Sequence, residues 1–153
     1  MENWTMMVDT LRGPAPFFPS TIVPLDYMIP MVAAKDIGTN LAMGLTSGYT
    51  PPAKPYVFEL HGPQDYCPLN VQNAFSKALG KNVEVKAVEK EDLPGFFGAF
   101  CPPKVAALWV EMTESFLPGG IAAVDSPLRE KVDIVRGKTT LDEAIKDAID
   151  LKF

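Results

Sequence analysis

The apolar residues in the middle of the chain change their spacing twice. Residues 56–60 are a run rich in β-forming residues, which ends at the turn sequence His61-Gly62-Pro63. Apolar residues then recur at helical spacing behind Pro68, which suits a first helical turn, and Gly80 follows as a helix terminator. Residues 83–87 alternate between apolar and charged side chains, as in a half-buried strand. The pattern predicts a strand, a helix and a second strand.

Three segments precede this unit. Residues 28–34 form an apolar stretch that predicts a buried strand, and Asp36 follows in the position of a helix N-cap. The helix predicted behind Asp36 carries one apolar face and reaches Gly48. Residues 1–25 contain four prolines, so we predict an ordered coil or a lid there.

The chain after residue 90 is predicted to contain further helices. Residues 91–94 place two acidic residues before a proline, which is typical of a helix start. A longer amphipathic helix follows, because large apolar residues recur at helical spacing. These are Val105, Leu108, Trp109, Met112 and Phe116.

The last part of the chain completes the predicted domain. Residues 121–124 and 132–135 are short apolar runs that predict two strands, and residues 140–143 form a capping box for a final helix. The sequence therefore predicts one small α/β domain (α+β-like) over residues 1–153, with short strands and about five helices.

Composition narrows the classes of function. With 47% hydrophobic residues among 153, the chain can fill a core. The net charge of −5 and the absence of a basic cluster argue against nucleic acid as a partner. No secretory leader and no membrane-spanning run is evident, so no membrane association is expected. Cys67 and Cys101 have no metal-binding spacing, which favours a reduced protein in the cytoplasm.

Cofactor signatures are missing from the sequence. No G-x-G-x-x-G or P-loop pattern occurs, and no tyrosine is followed four residues later by lysine, as in many dehydrogenases. The nearest glycine spacing, Gly95 to Gly98, is flanked by phenylalanines and suits a pyrophosphate poorly. We therefore expect no cofactor and no metal.

His61 is the candidate for acid–base chemistry, because it is the only histidine. Asp65 and Tyr66 are close in sequence and could orient it or share proton transfer, so these three residues are the predicted catalytic set. The alternative is that His61 only hydrogen-bonds the turn. Cys67 lies at a predicted helix start, where a thiol can become reactive, but packing is the simpler role.

A set of aromatic and sulfur-containing side chains is the candidate ligand-binding site. Such a lining suits an apolar small molecule held by a few polar groups. Much of the set must also serve as ordinary core in so small a domain. Its members are Trp4, Met7, Phe17, Phe18, Phe96, Phe97, Trp109, Met112 and Phe116.

Three stretches carry a resemblance to a known family. FELHGPQDYCPLNVQNAFSKALGKNVEVKAV (residues 58–88), IPMVAAKDIGTNLAMGL (29–45) and RGKTTLDEAIKDAI (136–149) resemble the C-terminal half of the NmrA-like, atypical short-chain dehydrogenase family. The resemblance implies the small substrate-binding half of that fold, with an apolar cleft. The opening MENW is similar to a segment usually found mid-protein. We therefore expect the substrate-binding half alone, without the half that carries the glycine-rich nucleotide loop.

Together these observations favour an enzyme derived from an NmrA-like reductase. It would promote a cofactor-independent cyclisation, isomerisation or dehydration of an apolar metabolite by holding a reactive conformer. A non-catalytic ligand-binding or regulatory module is the first alternative, and an NAD(P)-dependent reductase fragment that needs a partner chain is the second. An uncovered apolar surface along residues 28–34 and the N-terminal coil predicts a homodimer.

Overall fold

A computed structural model describes Met1 and residues 8–48, 50–53, 55–128 and 132–152. The described part contains helices and short strands of a small α/β domain, as the sequence predicts, with six α-helices where about five were expected. A single 3-10 turn, Lys90–Asp92, precedes the fourth helix. The helices are α1 Val8–Arg12, α2 Ala34–Thr46, α3 Pro68–Leu79, α4 Leu93–Gly98, α5 Pro103–Phe116 and α6 Leu141–Lys152.

The strands of the described residues pair two by two. Three two-stranded sheets result, β1 with β5, β2 with β4, and β3 with β6. The first and third pairs are parallel and the second is antiparallel. The strands are β1 Phe17–Ser20, β2 Ile29–Pro30, β3 Phe58–His61, β4 Asp65–Tyr66, β5 Glu84–Ala87 and β6 Asp133–Arg136.

The first strand corrects the prediction of a coil over residues 1–25. Phe17 is aligned with Glu84 and Ser20 with Ala87, in parallel register. Pro19 is tolerated within β1 because a two-stranded sheet leaves one edge of each strand without ladder hydrogen bonds. Alternate residues point inward, so Phe18 is buried and its ring lies 5.3 Å from that of Phe75.

The strand predicted over residues 28–34 is shorter than expected, and the N-cap prediction for Asp36 is wrong. Ladder pairing covers only Ile29 and Pro30, opposite Tyr66 and Asp65. Helix α2 starts at Ala34 with Ala33 as N-cap, so Asp36 lies inside the first turn. Its carboxylate binds the segment before α6 instead.

The third sheet joins distant parts of the chain. Phe58 is aligned with Asp133 and His61 with Arg136. The strand predicted over residues 121–124 is wrong, because this segment forms successive turns. The amide of Ala122 donates to the carbonyl of Ser115 at 2.8 Å, and that of Ala123 donates to Gly120 at 3.2 Å.

The main core lies between α3, α6 and the β1–β5 pair. Helix α3 runs from Pro68 to the left-handed Gly80, at φ 62°, as the sequence predicts. The apolar faces of α3 and α6 meet there. Their fully buried members include Val71, Phe75, Leu141, Ala144 and Ile145.

The α4–α5 hairpin has a small core of its own. Leu93, Phe97 and Ala106 are its buried members, with Phe96 and Val110 packed beside them. This cluster is separate from the main core, so the hairpin depends on few buried apolar contacts.

Helix α2 is anchored at its first turn and exposed beyond it. Ala33 and Asp36 are buried, whereas every residue from Leu41 to Thr46 is exposed. Within the stretch predicted to form a dimer interface, Met31 and Ala33 lie in the core and Met28 is exposed, and further exposed apolar side chains are on α2. No helix in the described ranges has the length and apolar character needed to cross a membrane.

Candidate functional site

His61 ends β3, where the chain leaves the β3–β6 pair. Its carbonyl accepts a hydrogen bond from Gly137 at 2.7 Å, which ties the ends of the two strands together. The residue is 8% exposed, so the ring is enclosed by protein. The sequence placed His61 at a strand end, and the structure confirms that position.

The hydrogen-bond partner of His61 is Glu59, a residue outside the predicted catalytic set. The two residues are separated by one position on a strand and therefore lie on the same face. Glu59 Oε2 lies 2.7 Å from His61 Nε2. The signal was present in the order Phe58-Glu-Leu-His61, because strand alternation alone brings the carboxylate beside the imidazole.

The second ring nitrogen of His61 is buried without a hydrogen bond. Nδ1 has no partner among the described residues. If Nε2 donates its proton to Glu59, Nδ1 presents a lone pair. A carboxylate on one nitrogen and a free second nitrogen is the arrangement of a base with its orienting group.

Asp65 and Tyr66 make other contacts than the predicted ones. Arg136 Nη1 donates to the carbonyl of Gly62 at 3.1 Å and lies 3.5 Å from Asp65 Oδ1. The hydroxyl of Tyr66, which is buried, accepts the amide of Leu141 at 3.2 Å and so satisfies one free donor of the α6 N-terminus. Among the described residues neither side chain hydrogen-bonds His61. Their contacts fix the loop behind β3 and the start of α6.

An open cleft of about 410 Å³ lies beside Tyr66, between α3 and the start of α6. Its walls combine polar and apolar surface, and none of the residues that line it belongs to the predicted aromatic set. It is lined by Pro63, Gln64, Tyr66, Asn70, Asn73, Thr140, Leu141 and Asp142.

The predicted aromatic set divides between two places. Phe18 belongs to the main core, and Phe17 lies under the ammonium of Lys86, which is 3.9 Å from the ring centroid. Trp4 and Met7 lie outside the described residues. The remaining five, Phe96, Phe97, Trp109, Met112 and Phe116, are all on the α4–α5 hairpin.

The hairpin arranges its rings in a connected cluster. Phe97 is buried and stacks against Trp109, with 6.0 Å between centroids and 26° between planes. Phe96 contacts Phe97 and Phe100 edge to face, at 5.2 Å and 5.4 Å. These geometries are the favoured ones for aromatic pairs.

One side of α5 presents large apolar side chains outward. The large apolar residues do recur at helical spacing along α5, as the sequence predicts. The side of α5 that faces the hairpin core, however, carries Ala106, Val110 and Thr113. We call the outward set the α5 face, and its exposure ranges from 40% to 64%. Its members are Val105, Leu108, Trp109, Met112 and Phe116.

Asp36, in the first turn of α2, accepts several hydrogen bonds from the segment before α6. It accepts the amide of Lys138 at 3.0 Å and both the amide and the hydroxyl of Thr139 at 2.9 Å. Burial would raise the pKa of Asp36, but the hydrogen bonds from Thr139 and Lys138 outweigh it and lower the pKa below its ordinary value. All these partners are structural, so Asp36 joins α2 to the start of α6.

The cysteines and acidic residues form no metal site in the described ranges. Cys67 and Cys101 are free thiols. Cys67 is the buried N-cap of α3, and its amide donates to Asn70 Oδ1 at 3.0 Å. No group of three or more potential metal ligands occurs among the residues that the structure describes.

Comparison with protein-family models, curated proteins and solved structures found no match to this chain. The resemblance to the NmrA-like family therefore stays a prediction from the sequence. Two local arrangements point to a function, the Glu59–His61 pair and the α5 face.

Proposed function

We propose that this chain is an NmrA-like module that binds an apolar small molecule on the α5 face. The observation that carries the proposal is the exposure of five large apolar side chains along one side of α5. Contiguous apolar patches of this kind mark binding sites for ligands or partners. The family resemblance, which places an apolar substrate cleft in this half of the fold, favours a small molecule.

The hairpin also supplies rigid aromatic surface. Trp109 is held by its stack on the buried Phe97, so less side-chain freedom is lost when a ligand covers its other side. The α5 face carries no charged side chain, which favours an uncharged ligand. An open face needs a second wall to enclose a ligand, and a regulatory or partner-completed module fits that requirement.

A cofactor-independent acid–base enzyme is the second candidate function. The buried Nδ1 of His61, with Glu59 on the other ring nitrogen, favours it. In this reading Nδ1 takes or gives a proton during a cyclisation, isomerisation or dehydration of an apolar metabolite. A substrate would have to displace the groups that now enclose the ring. Both candidate functions are compatible with a cytoplasmic location, because the two cysteines are free thiols, as is typical of a reducing compartment.

Binding of Nile red, a neutral apolar dye, tests the first proposal. We expect saturable binding by fluorescence, quenching of Trp109, and affinity about tenfold lower in Leu108→Ser and Trp109→Ala, equivalent to about 1.4 kcal/mol. Leu128→Ser is the matched control, because Leu128 is also strongly exposed, at 73%, but lies outside the hairpin. Equal loss in the control and the α5 variants would contradict the α5 face as the site.

The enzyme candidate is tested with the apolar metabolites that displace the dye. His61→Asn and Glu59→Gln are expected to abolish turnover while dye binding is unchanged. Turnover that survives His61→Asn would remove His61 from the mechanism. Calorimetry with NADPH separates both candidates from a reductase fragment, because tight saturable binding would show that the chain itself holds a nucleotide.

A further inference from the structure

The exposed side of α2 combines large and small apolar residues in two adjacent rows. Ile37, Leu41 and Leu45 are spaced four residues apart and are 41%, 63% and 86% exposed. A second row of the same spacing contains only small residues, Ala34, Gly38 and Ala42. At about 100° per residue these rows lie side by side on the helix. We call these six residues the α2 face.

Little within the described chain supports α2 beyond its first turn. Asp36 binds Thr139 and Lys138, and Lys35 forms an ion pair with Asp147 at 2.8 Å. From Leu41 onward all helix residues are exposed. Helices of this length are marginal in water without tertiary packing. The outer turns of α2 are therefore expected to gain stability from a partner.

We propose that a second copy of this chain covers the α2 face, with the two α2 helices packed across a two-fold axis. A two-fold interface requires a self-complementary patch. The large row of one helix fits beside the small row of the other, and the reverse contact follows by symmetry. Rows of residues four apart interdigitate at a crossing angle of about −50°, which is the commonest helix packing.

The absence of charged side chains on the outer part of α2 favours a second copy of this chain over a charged partner. The chain has a net charge of −5, so two copies repel each other at most orientations. The segment from residue 37 to 46 has no charged side chain, so it allows two copies to meet without like charges in contact. An acidic or basic partner would find no opposite charge on the α2 face. The helix is only about 20 Å long, so a weak dimer with a micromolar dissociation constant is expected.

Sedimentation equilibrium over the micromolar range tests this dimer with two matched variants. Leu41 and Met43 are almost equally exposed, at 63% and 60%, but point to opposite sides of α2. Leu41→Glu is expected to weaken dimerisation by at least about tenfold, the equivalent of about 1.4 kcal/mol. Met43→Glu adds the same charge to the same helix and should leave the dimer unchanged.

Gly38→Leu provides an independent check, because it fills the row of small residues. A Cβ atom at Gly38 meets none of the described residues within 4 Å, so the monomer should fold and only the dimer should be lost. Circular dichroism verifies the fold of each variant. A wild-type protein that is monomeric throughout the series, or equal dimerisation of Leu41→Glu and Met43→Glu, would overturn the proposal.

Discussion

Asp36 shows how one buried carboxylate can fix two elements that are far apart in sequence. Three hydrogen bonds converge on it from Lys138 and Thr139, and a Cβ atom at Gly137 would lie only 2.3 Å from its Oδ2. A side chain at residue 137 would therefore displace the carboxylate. Glycine is needed there for close approach rather than for a turn.

Asp36→Asn is expected to lower the free energy of unfolding by about 2 kcal/mol, because an amide replaces one acceptor with a donor that faces the amides of Lys138 and Thr139. Denaturant unfolding measures the change. Lys35→Ala is the control, since its ion pair with Asp147 is exposed and should matter little. Equal effects of the two substitutions would mean that Asp36 does not join the elements.

The lowered pKa of Asp36 predicts acid sensitivity. A carboxyl whose folded pKa lies below its unfolded value, about 3.9, contributes stability that is complete above that value. That stability is lost as the pH falls through the folded pKa. Glu143, whose pKa is lowered by hydrogen bonds from Thr140, acts in the same direction.

Thermal unfolding of wild type and Asp36→Asn across the acid range measures this linkage. The melting temperatures should differ most above about pH 4 and converge at lower pH, because protonated Asp36 no longer offers two carboxylate acceptors. A constant difference at every pH would assign the effect of the substitution to packing.

At the scale of elements, local signals in the sequence were sufficient for α3, α5 and α6. Pro68 and Gly80 bound α3 because both act within a few residues. Strand β1 was missed since its proline is accommodated only by pairing with β5, a distant segment that no local pattern announces. Spacing predicted that α5 has an apolar stripe, but it could not tell whether that stripe faces the core or solvent.

In the candidate site, too, the local contacts could be predicted from the sequence and the contacts between distant segments could not. Strand alternation places Glu59 beside His61 and is legible in the sequence. The hydrogen bonds of Asp65 to Arg136 and of Tyr66 to Leu141 depend on β6 and α6 returning from more than 70 residues away. Proximity in sequence suggested a catalytic set, whereas tertiary contacts give these side chains other partners.

At the scale of the whole molecule, two separate cores imply two levels of stability. The cluster of the α4–α5 hairpin has three buried apolar residues, whereas the main core draws on α3, α6 and the strands β1 and β5. Regions with few buried apolar contacts open locally before the molecule unfolds. The α5 face thus lies on the less stable part.

Hydrogen exchange is expected to show faster opening in residues 93–116 than in α3 or α6. Leu93→Ala, at a fully buried position, should abolish protection in the hairpin and leave that of α3 almost unchanged. Ile145→Ala, in the main core, is the matched comparison and should lower protection throughout the chain. A uniform loss in Leu93→Ala would indicate a single cooperative unit.

The parallel pairing of β3 with β6 has a consequence for synthesis of the protein. Phe58 is aligned with Asp133, and all of the chain between them must be made before the strands can meet. At about 5–20 residues per second, β6 leaves the ribosome roughly 4 to 15 s after β3. During that interval the apolar residues Val57, Phe58 and Leu60 lie along a β3 edge that has no strand partner, and such an edge is prone to aggregation.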